Sequence, residues 1–330
     1  MIVLTHPEVA FAVEAVQKAS QLVRLVQRET VTSALTKDDK SPVTMADFAS
    51  QALVSQMLAA RFPDAVMVGE ESSAPLKTPD SADMLAQITG FVRRFVPDAS
   101  PDSVCGWIDL GSADSAKRFW TLDPIDGTKG FLRGDQYAVA LALVENGQVQ
   151  IGALGCPNLT EAHVPDHNGP GSLVLAVRGQ GAWTTGLETP GEWTPLRVSP
   201  TADPSRARIM RSFESGHTDA DKIDEFAARL GTSAEPIRMD SQAKYAVMAA
   251  GQGEIILRLL SPKQPDYREK IWDQAAGSLI LEEAGGRISD LSGKPLDFTQ
   301  GRMLVANRGV LASNGALHEA ALKALKEIGA

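Results

Sequence analysis

Apolar positions between residues 7 and 30 recur at helical spacing. Val9, Val13, Val16, Leu22, Val23 and Val26 share one face, which predicts an amphipathic helix. The polar break "KDDKSPVT" follows, and "TMADFASQALVSQMLAARF" predicts a second helix with Thr44 as its N-cap. "AVMVGEES" reads as a short buried strand that ends in acids. From about Ser73 to Lys117 the periodicity fades, apart from a helical stretch near "DMLAQITGFVRRF", and this region reads as an insertion. Strands then dominate: "RFWTLD", the hairpin "YAVALALVENGQVQIGALGCP" with its turn at Glu145–Asn146–Gly147, and "GSLVLAVRGQGAW". A looser stretch rich in Pro, Gly and His at residues 157–171 predicts a boundary between a lobe at 1–157 and a lobe at 158–330. In the second lobe "ARIMRS" is a strand and "DADKIDEFAARLG" a helix. "SQAKYAVMAAGQG" is a helix, "EIILRLL" a strand, "WDQAAGSLILEEAGG" a helix and "RMLVANR" a strand. That alternation is an α/β pattern, and no internal repeat interrupts it.

Composition narrows the function classes. The 330 residues suit roughly two domains or lobes with a real core. A net charge of −9 argues against general binding to nucleic acid or to a membrane surface, both of which need a basic face. A small anionic substrate stays open, because a few local cations or bound metals override the global sign. Cys105 and Cys156 are too few and too far apart for a disulfide framework or a zinc site, so a reducing compartment is the default. The N-terminal stretch has no basic start and no continuous apolar core. It therefore predicts neither signal peptide nor membrane span, and a cytoplasmic protein is expected.

The chemistry lies in five acids: Asp47, Glu70, Asp123, Asp126 and Asp273. Each has a plainer reading. Thr44-x-x-Asp47 fits a capping box, Glu70-Glu71 a solvated strand end, Asp273 an N-cap, and Asp123-Pro and Asp126-Gly simple turn chemistry. Together they point further. Asp123 ends the apolar strand "RFWTLD", Pro124 stiffens the exit, and Gly127 permits an unusual backbone angle. Asp126 is then held near Asp123, and two carboxylates that close repel unless a cation intervenes. Mg²⁺ takes oxygen ligands and shares its shell with substrate phosphate, and the absence of His and Cys beside these acids favours it over Zn²⁺. Two such ions ~4 Å apart can activate water and stabilise a leaving oxygen. Thr128 could then orient the water and pass a proton toward Asp47 or Glu70, or simply cap a helix. Arg258, set among aliphatics in "EIILRLL", needs a buried partner or an anionic ligand.

"SPVTMADFASQALV", "VGEES", "LDPIDGTKGFLRGDQYAVALAL" and "IWDQAAGSLILEEAGG", in this order, resemble the inositol monophosphatase superfamily over roughly Met1 to Asn307. These are Mg²⁺-dependent, lithium-sensitive phosphomonoesterases. Asp-Gly-Thr-Lys-Gly-Phe, "LRGDQYAVAL" and "MDSQAKYAVMAAGQGEIILRL" are similar to the branch of 3′(2′),5′-bisphosphate nucleotidases, which remove the 3′-phosphate of adenosine 3′,5′-bisphosphate. The resemblance implies a layered α-β-α-β-α sandwich, with an α+β N-terminal lobe and an α/β C-terminal lobe. It implies two or three Mg²⁺ ions on Glu70, Asp123, the main-chain carbonyl of Ile125, Asp126 and Asp273. It assigns water activation to Asp47 and Thr128. Substrate contacts fall on Thr128, His217, Ser241, Lys244, Arg258 and Asp273. The partner is a small nucleotide bisphosphate, with 3′-phosphoadenosine 5′-phosphosulfate or an inositol phosphate as alternatives. The chain is expected to act as a monomer, with a dimer left open, and to serve sulfur metabolism. A non-catalytic nucleotide sensor is the alternative from another class.

Overall fold

The computed structural model describes residues 4–31, 41–167, 169–213, 220–261 and 263–330. Two helices open the chain, α1 (Pro7–Thr30) and α2 (Ser41–Arg61), followed by β1 (Met67–Gly69). Helices α3 (Ala82–Arg93) and α4 (Pro101–Asp109) precede β2 (Arg118–Asp126), the short α5 (Thr128–Arg133), β3 (Ala138–Glu145) and β4 (Gln148–Cys156). Strands β5 (Leu159–Thr160) and β6 (Val164–Pro165) form a small hairpin, and β7 (Ser172–Val177), β8 (Ala182–Gly186) and β9 (Thr194–Pro195) follow. The remainder is β10 (Ile209–Arg211), α6 (Ala220–Leu230), β11 (Ile237–Arg238), α7 (Ala243–Ala249), β12 (Ile255–Arg258), α8 (Ala275–Glu283), β13 (Arg287–Ser289), β14 (Val310–Ser313) and α9 (His318–Glu327).

Two sheets carry the fold. The first runs β1-β2-β3-β4-β7-β8-β9, with β1 and β2 parallel and the rest antiparallel. The second runs β11-β10-β12-β14-β13, with parallel pairing on one side of β12 and antiparallel pairing on the other. Strand β3 shows why the first sheet is covered on both faces. Val139, Leu141 and Leu143 point into the core under α1 and α2, while Ala138, Ala140 and Ala142 point into the core shared with α7 and α8. A strand buried on both faces reads as a continuous apolar run. Its small face lets α8 come close: a Cβ on Gly152 in β4 would stand 2.7 Å from the Ala276 carbonyl oxygen. The far face of the second sheet packs on α6 and α9 through Ile209, Phe226, Leu257, Leu311 and Leu325. The layers are therefore α-β-α-β-α, as the sequence implies.

Several expectations are corrected by the structure. α2 begins at Ser41, so Thr44 lies in its first turn and is not its N-cap. Ser-Pro is itself a helix start, because a first-turn proline gives up an N–H that has no partner anyway. The region after Ser73 holds α4, opened by a Ser100–Ser103 capping box, and Val104 and Ile108 join the core under α2. "RMLVANR" is not a strand. Apart from a single bridge between Lys270 and Met303, its polar groups serve loop contacts, such as Asn307 Nδ2 donating to the Pro295 carbonyl at 2.9 Å. The turn after β3 is as read, with positive φ at both Asn146 and Gly147. Among the described residues no helix is long and apolar enough to cross a membrane.

Candidate active site

The C-terminal end of β2 builds one wall of a cavity that gathers most of the predicted site residues. Pairing with β3 is regular to Asp123, slips, and resumes at Asp126. The slip is a bulge, a device that re-aims side chains. Asp123 is buried, and its Oδ1 accepts the Ile125 N–H at 3.1 Å. Ile125 drives its side chain into the core, which anchors the bulge from below. Gly127 then takes φ 92°, and α5 begins at Thr128, whose side chain stays exposed toward the cavity. A Cβ on Gly127 would come within 2.7 Å of the Ser241 Cβ, so only glycine fits this pivot.

The cavity holds about 270 Å³ and is lined by Glu70, Asp123, Ile125, Asp126, Thr128, Ser241, Lys244, Arg258 and Asp273 among others. That is near the lower end of ligand pockets (~300–1,000 Å³), which fits a small charged ligand. Nine of the predicted residues thus meet in one place. Asp47 does not line the cavity. It is buried on α2, in the field of Glu70, Glu71 and Asp123, and its Oδ1 has no hydrogen-bond partner. His217 lies outside the described residues. Among the described residues, no three His, Cys, Asp or Glu side chains close into a tight metal-holding group, so the acids share a cavity rather than a finished ligand shell.

The electrostatics divide the cavity. Burial, then the charges of Glu70, Asp126 and Asp273, push the Asp123 carboxyl well above the usual range. Burial, then Asp126 and Glu269, do the same to Asp273, against the pull of Arg258. Glu70 reaches solvent at the cleft mouth, yet the surrounding protein, with Glu71 and Asp126, raises it to about 7. Asp126 is raised by burial and held down by Lys244, Arg258 and the Gln242 N–H, which donates to its Oδ2 at 2.7 Å.

Another part of the cavity lining, the cationic wall, holds Lys244 and Arg258. Lys244, buried on α7, is lowered to about 8 by burial and by Arg258. Arg258 is raised, chiefly by Glu269, to which Nη2 donates at 3.2 Å and Nε at 3.4 Å. Gln274 Nε2 also donates to Glu269 at 2.9 Å, and the Tyr245 hydroxyl donates to Gln274 Oε1 at 2.6 Å. Ser241 sits at φ 67°, a conformation that costs a residue with a side chain about 1–3 kcal/mol and collects at functional sites. Sequence reasoning missed Glu269, Gln274, Ser212, Asp240 and Tyr267. The demand for a partner to Arg258 was the one signal that pointed toward Glu269.

Comparison with known proteins identifies the family. A model of the inositol monophosphatase family matches residues 5–330. The chain is 40% identical to the 3′(2′),5′-bisphosphate nucleotidase of Schizosaccharomyces pombe, with 96% of this chain and 94% of that protein covered. It is 39% identical to 3′(2′),5′-bisphosphate nucleotidase 1 of Candida albicans, covering 98% and 97%. Among solved structures, the Thermotoga maritima IMPase superposes with a TM-score of 0.64 at 22% identity, covering 98% of each chain. Mycobacterium tuberculosis SuhB superposes at 0.63 with 21% identity, covering 97% and 95%. At that identity the two structures speak for the fold, and the family model and the curated relatives for kinship. The chain belongs to the inositol monophosphatase family, on the branch that holds the 3′(2′),5′-bisphosphate nucleotidases.

Proposed function

We propose that the protein is a Mg²⁺-dependent phosphomonoesterase that removes the 3′-phosphate of adenosine 3′,5′-bisphosphate, giving AMP and phosphate. One observation carries the reading: the acids Glu70, Asp123, Asp126 and Asp273 share a single small cavity with Lys244 and Arg258. A substrate with two phosphates answers both walls at once.

The acid wall fits Mg²⁺. Its donors are oxygens only, from Glu70, Asp123, Asp126, Asp273 and the Ile125 carbonyl, and hard divalent cations take such sets. Burial raises Asp123, Asp126 and Asp273, and neighbouring carboxylates add to the push on Asp123 and Asp273, as expected of acids crowded together. A cation bound there supplies neutralisation of the scissile phosphate and lowers the pKa of water. Thr128, at the start of α5, orients the attacking water. Its proton passes toward Asp47 or Glu70. Lys244 and Arg258 hold the second phosphate, the lysine as a point charge and the arginine through a fork that Glu269 aims. Ser241 and Asp273 complete the substrate contacts.

The test is phosphate release from adenosine 3′,5′-bisphosphate and from inositol 1-phosphate, side by side, with Mg²⁺ and then with EDTA. The expected result is a strong preference for the nucleotide that EDTA abolishes. Turnover of inositol 1-phosphate alone would keep the acid wall and overturn the substrate. No turnover of either, with tight nucleotide binding, would point to a sensor.

A further inference from the structure

Arg302 belongs to neither wall of the cavity, yet it touches the chain beside two of its acids. Its Nη1 donates to the carbonyls of Gly111 at 3.1 Å and Ala113 at 3.0 Å, and its Nη2 donates to the carbonyl of Gly69. Gly69 is the last residue of β1, immediately before Glu70. The same guanidinium lies over the indole of Trp272, 4.9 Å from the ring centre, and Trp272 immediately precedes Asp273. The backbone repeats the link: the Ile271 N–H donates to the Arg302 carbonyl at 3.2 Å, and the Leu304 N–H to the Glu269 carbonyl at 2.9 Å. One side chain therefore joins the strand end that carries Glu70 to the strap that carries Asp273.

The chemistry suits arginine alone. Three carbonyl oxygens at a strand end are met by a planar fork of donors, while its flat face stacks on an aromatic ring. A lysine has one point charge and no such plane. On the other side of Glu70 a second clamp works alike. Gln51 Nε2 donates to the carbonyls of Glu71 at 2.7 Å and Ile108 at 2.8 Å, and its Oε1 accepts the Glu71 N–H at 2.9 Å. Glu70 is thus pinned on both flanks, but only the Arg302 clamp also reaches the Asp273 strap.

We propose that Arg302 is a positioning residue that holds the segments carrying Glu70 and Asp273 in register, and so sets the affinity of the acid wall for a divalent cation. The proposal rests on the metal reading of the acid wall. Outer partners of metal ligands typically change cation affinity by about 10–100-fold when replaced.

The test is calorimetric titration with Mg²⁺ alone on the wild type, Arg302→Lys and Arg302→Met, with thermal melts of each and binding of AMP measured in EDTA. Both variants should bind Mg²⁺ about 10–100-fold more weakly while AMP binding at the cationic wall stays within about twofold, since Arg302 lies away from that wall. Arg302→Lys keeps the charge and the stem, so it decides the matter should Arg302→Met not fold. Wild-type and variant titrations that superpose, whatever the melting temperatures do, would overturn the proposal. No Mg²⁺ binding by the wild type would instead overturn the metal reading beneath it.

Discussion

On one wall of the cavity buried Asp123 stands with half-buried Asp126 and Asp273, Glu70 lies at the mouth, and burial raises all four. On the other wall Arg258 is already matched to Glu269, and Glu269 is itself held by Gln274. The acid wall is unfinished by its own residues and calls for a cation from outside. The cationic wall is largely finished and needs only an anion to displace water. A buried charge is costly unless paired, so the two walls meet one requirement in opposite ways. On the proposed reading a metal would complete the first wall, whereas the substrate's second phosphate would be a visitor to the second.

The contrast breaks most sharply at Asp126→Asn. The asparagine keeps the acceptor for the Gln242 N–H but removes a charge, and turnover of the nucleotide should fall by at least about 10²–10³-fold. The melting temperature should hold or rise, because one repelling carboxylate is gone. Full turnover with unchanged Mg²⁺ dependence would show that the acids do not act as a set.

Lys244→Met tests the other wall. Losing a charged contact of about 1.5–3 kcal/mol should raise KM for adenosine 3′,5′-bisphosphate by roughly 10–100-fold. Inositol 1-phosphate, which has no second phosphate, should change by no more than about twofold. Equal losses on both substrates would place Lys244 at the reacting phosphate instead.

The smallest effect is in the pH profile. With Lys244 near 8 in the free enzyme, its charge is present below that pH and lost above it. The value of kcat/KM for the nucleotide should therefore decline on the alkaline side, by up to about tenfold per pH unit, and Lys244→Arg should carry the limb to higher pH. A limb that stays in place in the arginine variant assigns it to another group.

What could be read from the sequence follows the range of the interaction. β3 and β4, their turn and α1 declare themselves through spacing within a few residues, and the motif around Asp123 and Asp126 declares the acid wall through local chemistry. α4 was missed because it spans only nine residues and its start depends on a Ser100–Ser103 pair rather than a stronger signature. β11 and β13, at two and three residues, exist only through their neighbours in the sheet. Arg302 left no signal at all, since its partner Gly69 is 233 residues away and offers a backbone carbonyl that any residue would have. The "RMLVANR" segment misled for the same reason: its apolar content suits a strand, but its polar side chains are committed to distant loops.

The contact between Gly127 and Ser241 has a consequence for selectivity. A single added methyl there would wedge the two walls apart, and the Asp126–Gln242 bond ties them at the same level. The gap between acids and cations is thus a fixed gauge rather than an adjustable jaw. On the proposed reading, such a site would sort bisphosphates by the distance between their two phosphates before reading anything else about them.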